Sequence, residues 1–318
     1  MRDTPRRLWV VSPSYRDVPS FLMLREQVLA AIDGAVDLDG ACASFVVVDD
    51  TAGRDPEVEA LHELADTRVI EPPFNLGHQR AIVFALRRLA PYIAANDLVV
   101  TMDSDGEDRA EDLPRLLEPL MRPDASRHAV VLARRTSREE STAFKLGYRV
   151  FRLVFRALTG TVIRSGNFAA YHGSVAKNLL LHPYFDLCYS STFVAVDAPI
   201  TYVPCSRGRR LAGRSRMNTS LLVLHGMRML MPFLDQIALR ALAVFSGAFV
   251  GGLGLVATIV FVRLFTDRAI PGWATDTALG ALILSLIALS SWLILFATFS
   301  QSRGVSLSSL DRQDDGPP

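Results

Sequence analysis

The chain has 318 residues, half of them hydrophobic, with 34 basic and 33 acidic side chains and a formal charge of +1. That length supports one or two domains with a sizeable core, and the near-neutral balance leaves no electrostatic footprint for nucleic acid. Cys42, Cys188 and Cys205 are an odd number without paired metal-ligand spacing, which suits reduced thiols in a cytoplasmic domain.

The first apolar stretch, Leu8 to Val11, is far too short for the core of a signal peptide. Leu8–Ser12 and Ser44–Val48 instead read as buried strands ending in turn-forming residues. Between them Asp17 can cap a helix with Pro19 in its first turn, and Leu22, Leu29 and Ile32 recur at helical spacing. Then follow a strand over Thr67–Ile70, a helix from about Gly77 to Leu89, a strand at Leu98, a helix from about Asp112 to Met121 and a strand over Ala129–Leu132. This alternation predicts an α/β domain with a mostly parallel, doubly wound sheet, whose ligands bind beyond the carboxyl ends of the strands.

The run Leu98-Val-Val-Thr-Met-Asp103-Ser-Asp105-Gly-Glu107 carries the strongest chemical signal, because an apolar strand opens onto acidic residues at alternate positions. If strand geometry persists, the three carboxylates share one face. Hard divalent cations take oxygen ligands, commonly one or two carboxylates plus the phosphates of a nucleotide substrate, so the run reads as a metal–diphosphate site or as a solvated acidic turn.

From about Glu139 to Leu158 a helix places Phe144, Tyr148, Phe151, Phe155 and Leu158 on one side and Lys145, Arg149, Arg152 and Arg156 on the other. It suits either a membrane surface or an ordinary aromatic core face. Ala241–Val262 and Ala278–Phe299 are uncharged runs of about 22 residues, long enough to span hydrocarbon at about 1.5 Å per residue. The short link Arg263–Thr277 makes them a hairpin. Arginines 207, 209, 210, 214, 216, 228 and 240 precede the first span against Arg263 and Arg268 in the link, which puts the N-terminal part in the cytoplasm. The expected organisation is a cytoplasmic domain over 1–235, a transmembrane hairpin over 236–302 and a disordered tail over 303–318, rich in Ser, Asp, Gly and Pro.

Val48-Asp49-Asp50, Asn75-Leu-Gly77-His-Gln-Arg-Ala81, Asp103-Ser-Asp105-Gly-Glu107, Asp112-Leu-Pro114, Gly166-Asn-Phe168 and Arg210-Leu-Ala-Gly213-Arg-Ser215 occur in an order that resembles glycosyltransferase family 2. More narrowly, the chain looks like the branch with a GT-A (Rossmann-like) catalytic domain and a C-terminal transmembrane hairpin, the polyprenyl- or dolichyl-phosphate sugar synthases. The resemblance spans roughly Leu8 to Phe299 and implies transfer of a sugar from a UDP- or GDP-sugar to a polyprenyl phosphate in a cell-envelope membrane. It implies Mg²⁺ or Mn²⁺ as cofactor and leaves a homo-oligomer open.

By that resemblance, Pro13, Tyr15 and Asp50 hold the base and ribose, with Ser104 also on the donor. Asp103, Asp105 and Glu107 take the positions of the family's Asp-x-Asp-x-Gln metal motif, Glu standing where Gln is usual. Arg134, Arg135 and Arg138, just past the fifth strand, fit the basic segment that meets the acceptor phosphate, with Lys145 as a helper, Arg134 being otherwise part of a solvated basic turn. Arg210, Ser215 and Arg216 fit the Arg-x-x-Gly-x-Ser-Lys segment over the donor diphosphate, Arg216 replacing Lys. Asn75 and Gly77 join the donor side chiefly through backbone geometry, while His78 is either a donor contact or structural. Asn167 stands where an acidic residue is common and receives no base role.

A lipid phosphate is already an anion and needs no general base, only alignment behind the anomeric carbon and stabilisation of the leaving diphosphate, which favours a single inverting transfer. A membrane-bound hydroxyl acceptor and a catalytically silent membrane scaffold are the alternatives.

Overall fold

The computed structural model describes residues 7–33, 42–135, 142–163, 166–208, 219–266 and 272–300. The chain divides into two compact units, one holding Met1–Leu153 and Thr161–Pro232, the other Val154–Gly160 and Phe233–Gly304.

In the first unit, strand β1 (Leu8–Ser14) is buried along its whole length, and its side chains alternate between two cores. Leu8 and Val10 enter one core, Trp9 and Val11 the other. A strand covered on both faces must be apolar at successive positions, which is why Leu-Trp-Val-Val appears as an unbroken run. β2 (Ala43–Asp49) pairs in parallel with β1 on one side, and β3 (Thr67–Ile70) follows outward. β4 (Leu98–Thr101) pairs in parallel on the other side of β1. Helix α1 (Val18–Asp33) packs into the first core, and α2 (His78–Leu89) into the second. Each fully buried Val or Leu in these layers contributes about 1.5–3 kcal/mol.

α3 (Leu113–Met121) and β5 (Val130–Arg135) continue the alternation. β6 (Ala169–His172) then breaks it by inserting antiparallel between β4 and β5, while β7 (Ile200–Cys205) pairs in parallel with β5 at the edge. The order among the described residues is β3-β2-β1-β4-β6-β5-β7. This mostly parallel seven-stranded sheet is the expected α/β architecture. The remaining helices are α4 (Thr142–Thr159), α5 (Gly173–Leu179), α6 (Tyr189–Ala195), α7 (Thr219–Leu230), α8 (Leu234–Phe265) and α9 (Trp273–Ser300).

Three local expectations are corrected. The core face of α1 is Val18, Phe21, Leu24, Val28 and Ile32, while Leu22 and Leu29 only flank it, because the helix is covered over a wider arc than one i, i+7 row. β5 runs on to Arg135, so Arg134 and Arg135 are its last residues, paired with Pro204 and Cys205 of β7, rather than a segment beyond the strand. β6 and β7 have no counterpart among the expected strands: four residues starting Ala-Ala carry little strand signal, and Pro204 interrupts the other run.

In the second unit α8 and α9 pack against each other. Both are long and apolar enough to cross a membrane. The buried positions of α9 include Ala274, Ala281, Ser285 and Ala288, small side chains that let two helices approach closely. By contrast Leu239, Val244, Val250, Leu284 and Ile294 are each at least 66% exposed, a surface suited to hydrocarbon rather than water.

At the amino end of β4, Asp97 is buried and accepts from Trp9 Nε1 (2.9 Å) and from the Ala94 amide (2.9 Å), joining β1 to the turn before β4. Asp97→Ala strands the buried Trp9 donor and the part-buried Ala94 amide and should cost about 2 kcal/mol in chemical denaturation of the full chain. Asp97→Asn keeps an acceptor and should recover most of that loss. Equal stability of Asp97→Ala and the parent chain would contradict this account.

Candidate active site

The chain runs outward from β1 through β2 to β3 and then returns to place β4 on the other side of β1. Crevices form beyond the carboxyl ends of strands at such a switch point. The turns after β1, β2 and β4 meet there. Ser104 Oγ donates to the Pro13 carbonyl at 3.2 Å, tying the turn after β4 to the end of β1. Tyr15, just beyond, is 39% exposed.

β4 ends at Thr101, so residues 103–108 form a turn and the period-2 argument for a shared carboxylate face does not apply. Hydrogen bonds within the turn organise the carboxylates instead. The Asp103 amide donates to Asp108 Oδ2 at 2.9 Å, and the Glu107 amide donates to Asp105 Oδ1 at 3.0 Å. The Asp103 side chain meets His78 Nε2 at 2.8 Å, while Glu107 Oε1 accepts from Arg207 Nη2 at 2.6 Å. Asp108 and Arg207 thus join the site without having been singled out in the sequence. An Asp one residue past the acidic triplet was the available sign of the first; nothing local pointed to the second.

Among the described residues, no three His, Cys, Asp or Glu side chains converge as a ready metal cage. The donor set still fits a hard cation, because such ions use one or two carboxylates and complete their shell with water and substrate phosphates. Asp103 and Asp105 place two carboxylates of that kind at the switch point.

Asp49 and Asp50 shape the neighbouring loops. Asp49 accepts from the Thr51 amide (3.0 Å), Thr51 Oγ1 (2.6 Å) and the Gly53 amide (3.0 Å). Asp50 accepts from the amides of Leu76 (2.6 Å) and Gly77 (2.9 Å), and its carbonyl accepts from Asn75 Nδ2 at 3.0 Å. Burial raises the Asp50 pKa against the Leu76 and Gly77 amide bonds and the charge of His78, which lower it. Gly77, at φ +79°, makes the left-handed step that starts α2, a conformation costly for a side-chain-bearing residue. Asp50 therefore positions the loop whose next residue, His78, reaches Asp103.

A polar ladder lies behind the crevice. Gln79 Nε2 donates to Asn167 Oδ1 at 2.9 Å and to Ser190 Oγ at 3.1 Å, and Cys188 Sγ donates to Gln79 Oε1 at 3.0 Å. Thr101 Oγ1 donates to the Asn167 carbonyl at 2.6 Å and contacts the Tyr189 hydroxyl at 2.7 Å. Burial raises the Cys188 thiol and both linked phenols, Tyr171 and Tyr189, so these groups remain neutral. Asn167 is a member of this scaffold.

Arg134 is exposed at the end of β5, and the backbone of Arg135 is paired beside it. Arg138, Arg210, Ser215 and Arg216 lie outside the described residues.

The His78 side chain is 41% exposed; desolvation by its surroundings lowers the pKa, but the carboxylates of Asp103, then Asp108 and Asp105, outweigh it and the net direction is upward from 6.5. A raised imidazole pKa contributes stability that is full below the unfolded value and is lost as pH rises through the folded one. An NMR titration should place His78 above 6.5 in the parent chain. In Asp103→Asn the value should fall; an unchanged value would remove Asp103 as the dominant partner.

The family model described as glycosyl transferase family 2 matches residues 14–180. The undecaprenyl-phosphate 4-deoxy-4-formamido-L-arabinose transferase of Edwardsiella ictaluri is 27% identical over 280 residues, 84% of this chain and 79% of that protein. The uncharacterized glycosyltransferase YkcC of Bacillus subtilis is 26% identical over 76% of this chain and 74% of its own length. Among solved structures, mannosyl-3-phosphoglycerate synthase from Rubrobacter xylanophilus superposes with a TM-score of 0.50 at 15% identity, covering 84% of this chain and 78% of that one, a likeness of fold.

Proposed function

The chain belongs to glycosyl transferase family 2 and is a glycosyltransferase with a GT-A fold, and on that premise we propose that it moves a sugar from a nucleotide-sugar donor to a polyprenyl phosphate at a membrane, with inversion at the anomeric carbon. The observation that carries this reading is one polypeptide holding an acidic turn at the β1–β4 switch point and two helices long enough to span a bilayer. The Edwardsiella relative, named for transfer involving undecaprenyl phosphate, supports the same acceptor class.

In this mechanism Asp103 and Asp105 would hold a divalent cation, Mg²⁺ or Mn²⁺. Bound there, it would supply charge neutralisation for the departing diphosphate. Pro13, Tyr15 and Ser104 line the donor side where the turns after β1 and β4 meet, and Asp50 serves the donor through the loop 75–77 that it holds. Arg210, Ser215 and Arg216 serve the diphosphate, and Arg135 and Arg138 serve the acceptor phosphate, since guanidinium forks match phosphate oxygens bidentately. No proton has to leave an acceptor that is already anionic, so no general base is required. His78, whose Nε2 is engaged by Asp103, is a support for that carboxylate in this scheme. The arginine excess before Ala241 supports a cytoplasmic catalytic part over 1–235 and a membrane hairpin over 236–302.

The test is turnover of UDP- and GDP-sugars by full-length protein in bilayers containing undecaprenyl phosphate, with Mg²⁺ or Mn²⁺. Asp105→Ala should lower transfer by more than about a hundredfold without changing the unfolding midpoint, because the carboxylate contributes to chemistry rather than to core packing. Transfer at the parental rate in that variant would remove the acidic turn from the mechanism.

A further inference from the structure

Glu107 stands where the family pattern has Gln, and its surroundings give that exchange a physical reason. Arg207 Nη2 donates to Glu107 Oε1 at 2.6 Å, with the side chains 32% and 13% exposed respectively. The Gly208 amide donates to the Glu107 carbonyl at 2.9 Å, and Arg109 Nη1 donates to Ser206 Oγ at 3.0 Å. A side chain on Gly208 would run into the carbonyl of Gly106, so the two backbones can meet only with glycine there. Residues 206–208 are thereby stitched onto the turn 106–109. On its other side, the Glu107 amide donates to Asp105 Oδ1 at 3.0 Å. Glu107 therefore joins two segments, its side chain and carbonyl engaging 207–208 and its amide engaging the carboxylate two residues before it.

A carboxylate takes a charge-assisted hydrogen bond from a guanidinium, roughly twice as strong as the neutral one that Gln would make. Partners that orient a metal ligand also tune its affinity, although they do not touch the ion. We propose that Glu107 is a positioning residue rather than a ligand: Arg207 pins it, its amide then holds Asp105 in one orientation, and the pair sets the affinity of the acidic turn for a divalent cation. This rests on the reading that Asp103 and Asp105 hold such a cation.

The test uses full-length protein in detergent micelles, with Mn²⁺ alone as the probe followed by electron paramagnetic resonance and, separately, amide hydrogen exchange at Gly208 in metal-free protein. Glu107→Ala and Arg207→Ala should each weaken Mn²⁺ binding about tenfold, the range for partners behind a metal ligand. The double variant should be no weaker than either single one, because both changes break the same link. The charge swap Glu107→Arg with Arg207→Glu should return affinity to within about threefold, and Glu107→Gln, which keeps size and loses charge, should fall between parent and Ala. In metal-free protein Gly208 should exchange faster in both single variants and regain protection in the swap.

Parental Mn²⁺ affinity in Arg207→Ala alongside a loss in Glu107→Ala would overturn the proposal and make Glu107 a ligand. Additive losses, or unchanged Gly208 exchange in both single variants, would overturn it too. Absence of Mn²⁺ binding by the parent chain, with the exchange pattern as expected, would instead reject the cation reading and the affinity claim while leaving the Arg207–Glu107 link intact.

Discussion

Parallel pairing of β1 with both β2 and β4 is the constraint on which the rest of the site depends. It brings the ends of three strands side by side, and two of those ends open onto acidic turns. Carboxylates crowded at one edge repel, and hydrogen-bond donors offset that repulsion. The chain supplies them locally: backbone amides for Asp49 and Asp50, an imidazole for Asp103, an amide for Asp105 and a guanidinium for Glu107. Much of the conformation of the loops 49–53, 75–77 and 103–108 follows from that need.

On the proposed reading, this arrangement separates support from chemistry. Asp50 holds the loop that presents His78, His78 meets Asp103, and Glu107 links Arg207 to Asp105. Residues resembling a uniform acidic motif therefore do different work according to which donors surround them. Behind them, the ladder from the half-buried Gln79 and Asn167 to the buried Thr101 and Tyr189 offers neutral groups that brace the strand ends without adding charge. Buried polar networks of this kind are stable only when their members are satisfied, and satisfied ones are stiff.

The sequence made the architecture legible where periodicity was strong. Strands β1, β2 and β4 follow from unbroken apolar runs, α1 from helical spacing behind Asp17 and Pro19, and the two uncharged stretches became α8 and α9. The antiparallel insertion of β6 was not legible, since four residues beginning Ala-Ala carry no period. Its pairing is also set far away in the chain, Ala170 lying opposite Val100 of β4 on one side and Val131 of β5 on the other. The acidic turn was visible as composition, but its geometry was not. Asp103, Asp105 and Glu107 alternate in sequence and would share a face only in a strand, and the strand stops at Thr101. Likewise the link between Glu107 and Arg207 joins residues 100 positions apart, beyond the reach of any local pattern.

The central claim is that the sugar ends on a lipid phosphate rather than on a hydroxyl. It is tested most directly by the chemistry of the product. Full-length protein in bilayers containing undecaprenyl phosphate is given radiolabelled UDP- or GDP-sugar, and the lipid extract is treated with mild acid. A glycosyl phosphate should release the label as free sugar under conditions that leave an ordinary glycoside intact, because a phosphate monoester is the better leaving group. Lipid-bound label that survives this treatment would contradict the account and assign the enzyme a hydroxyl acceptor.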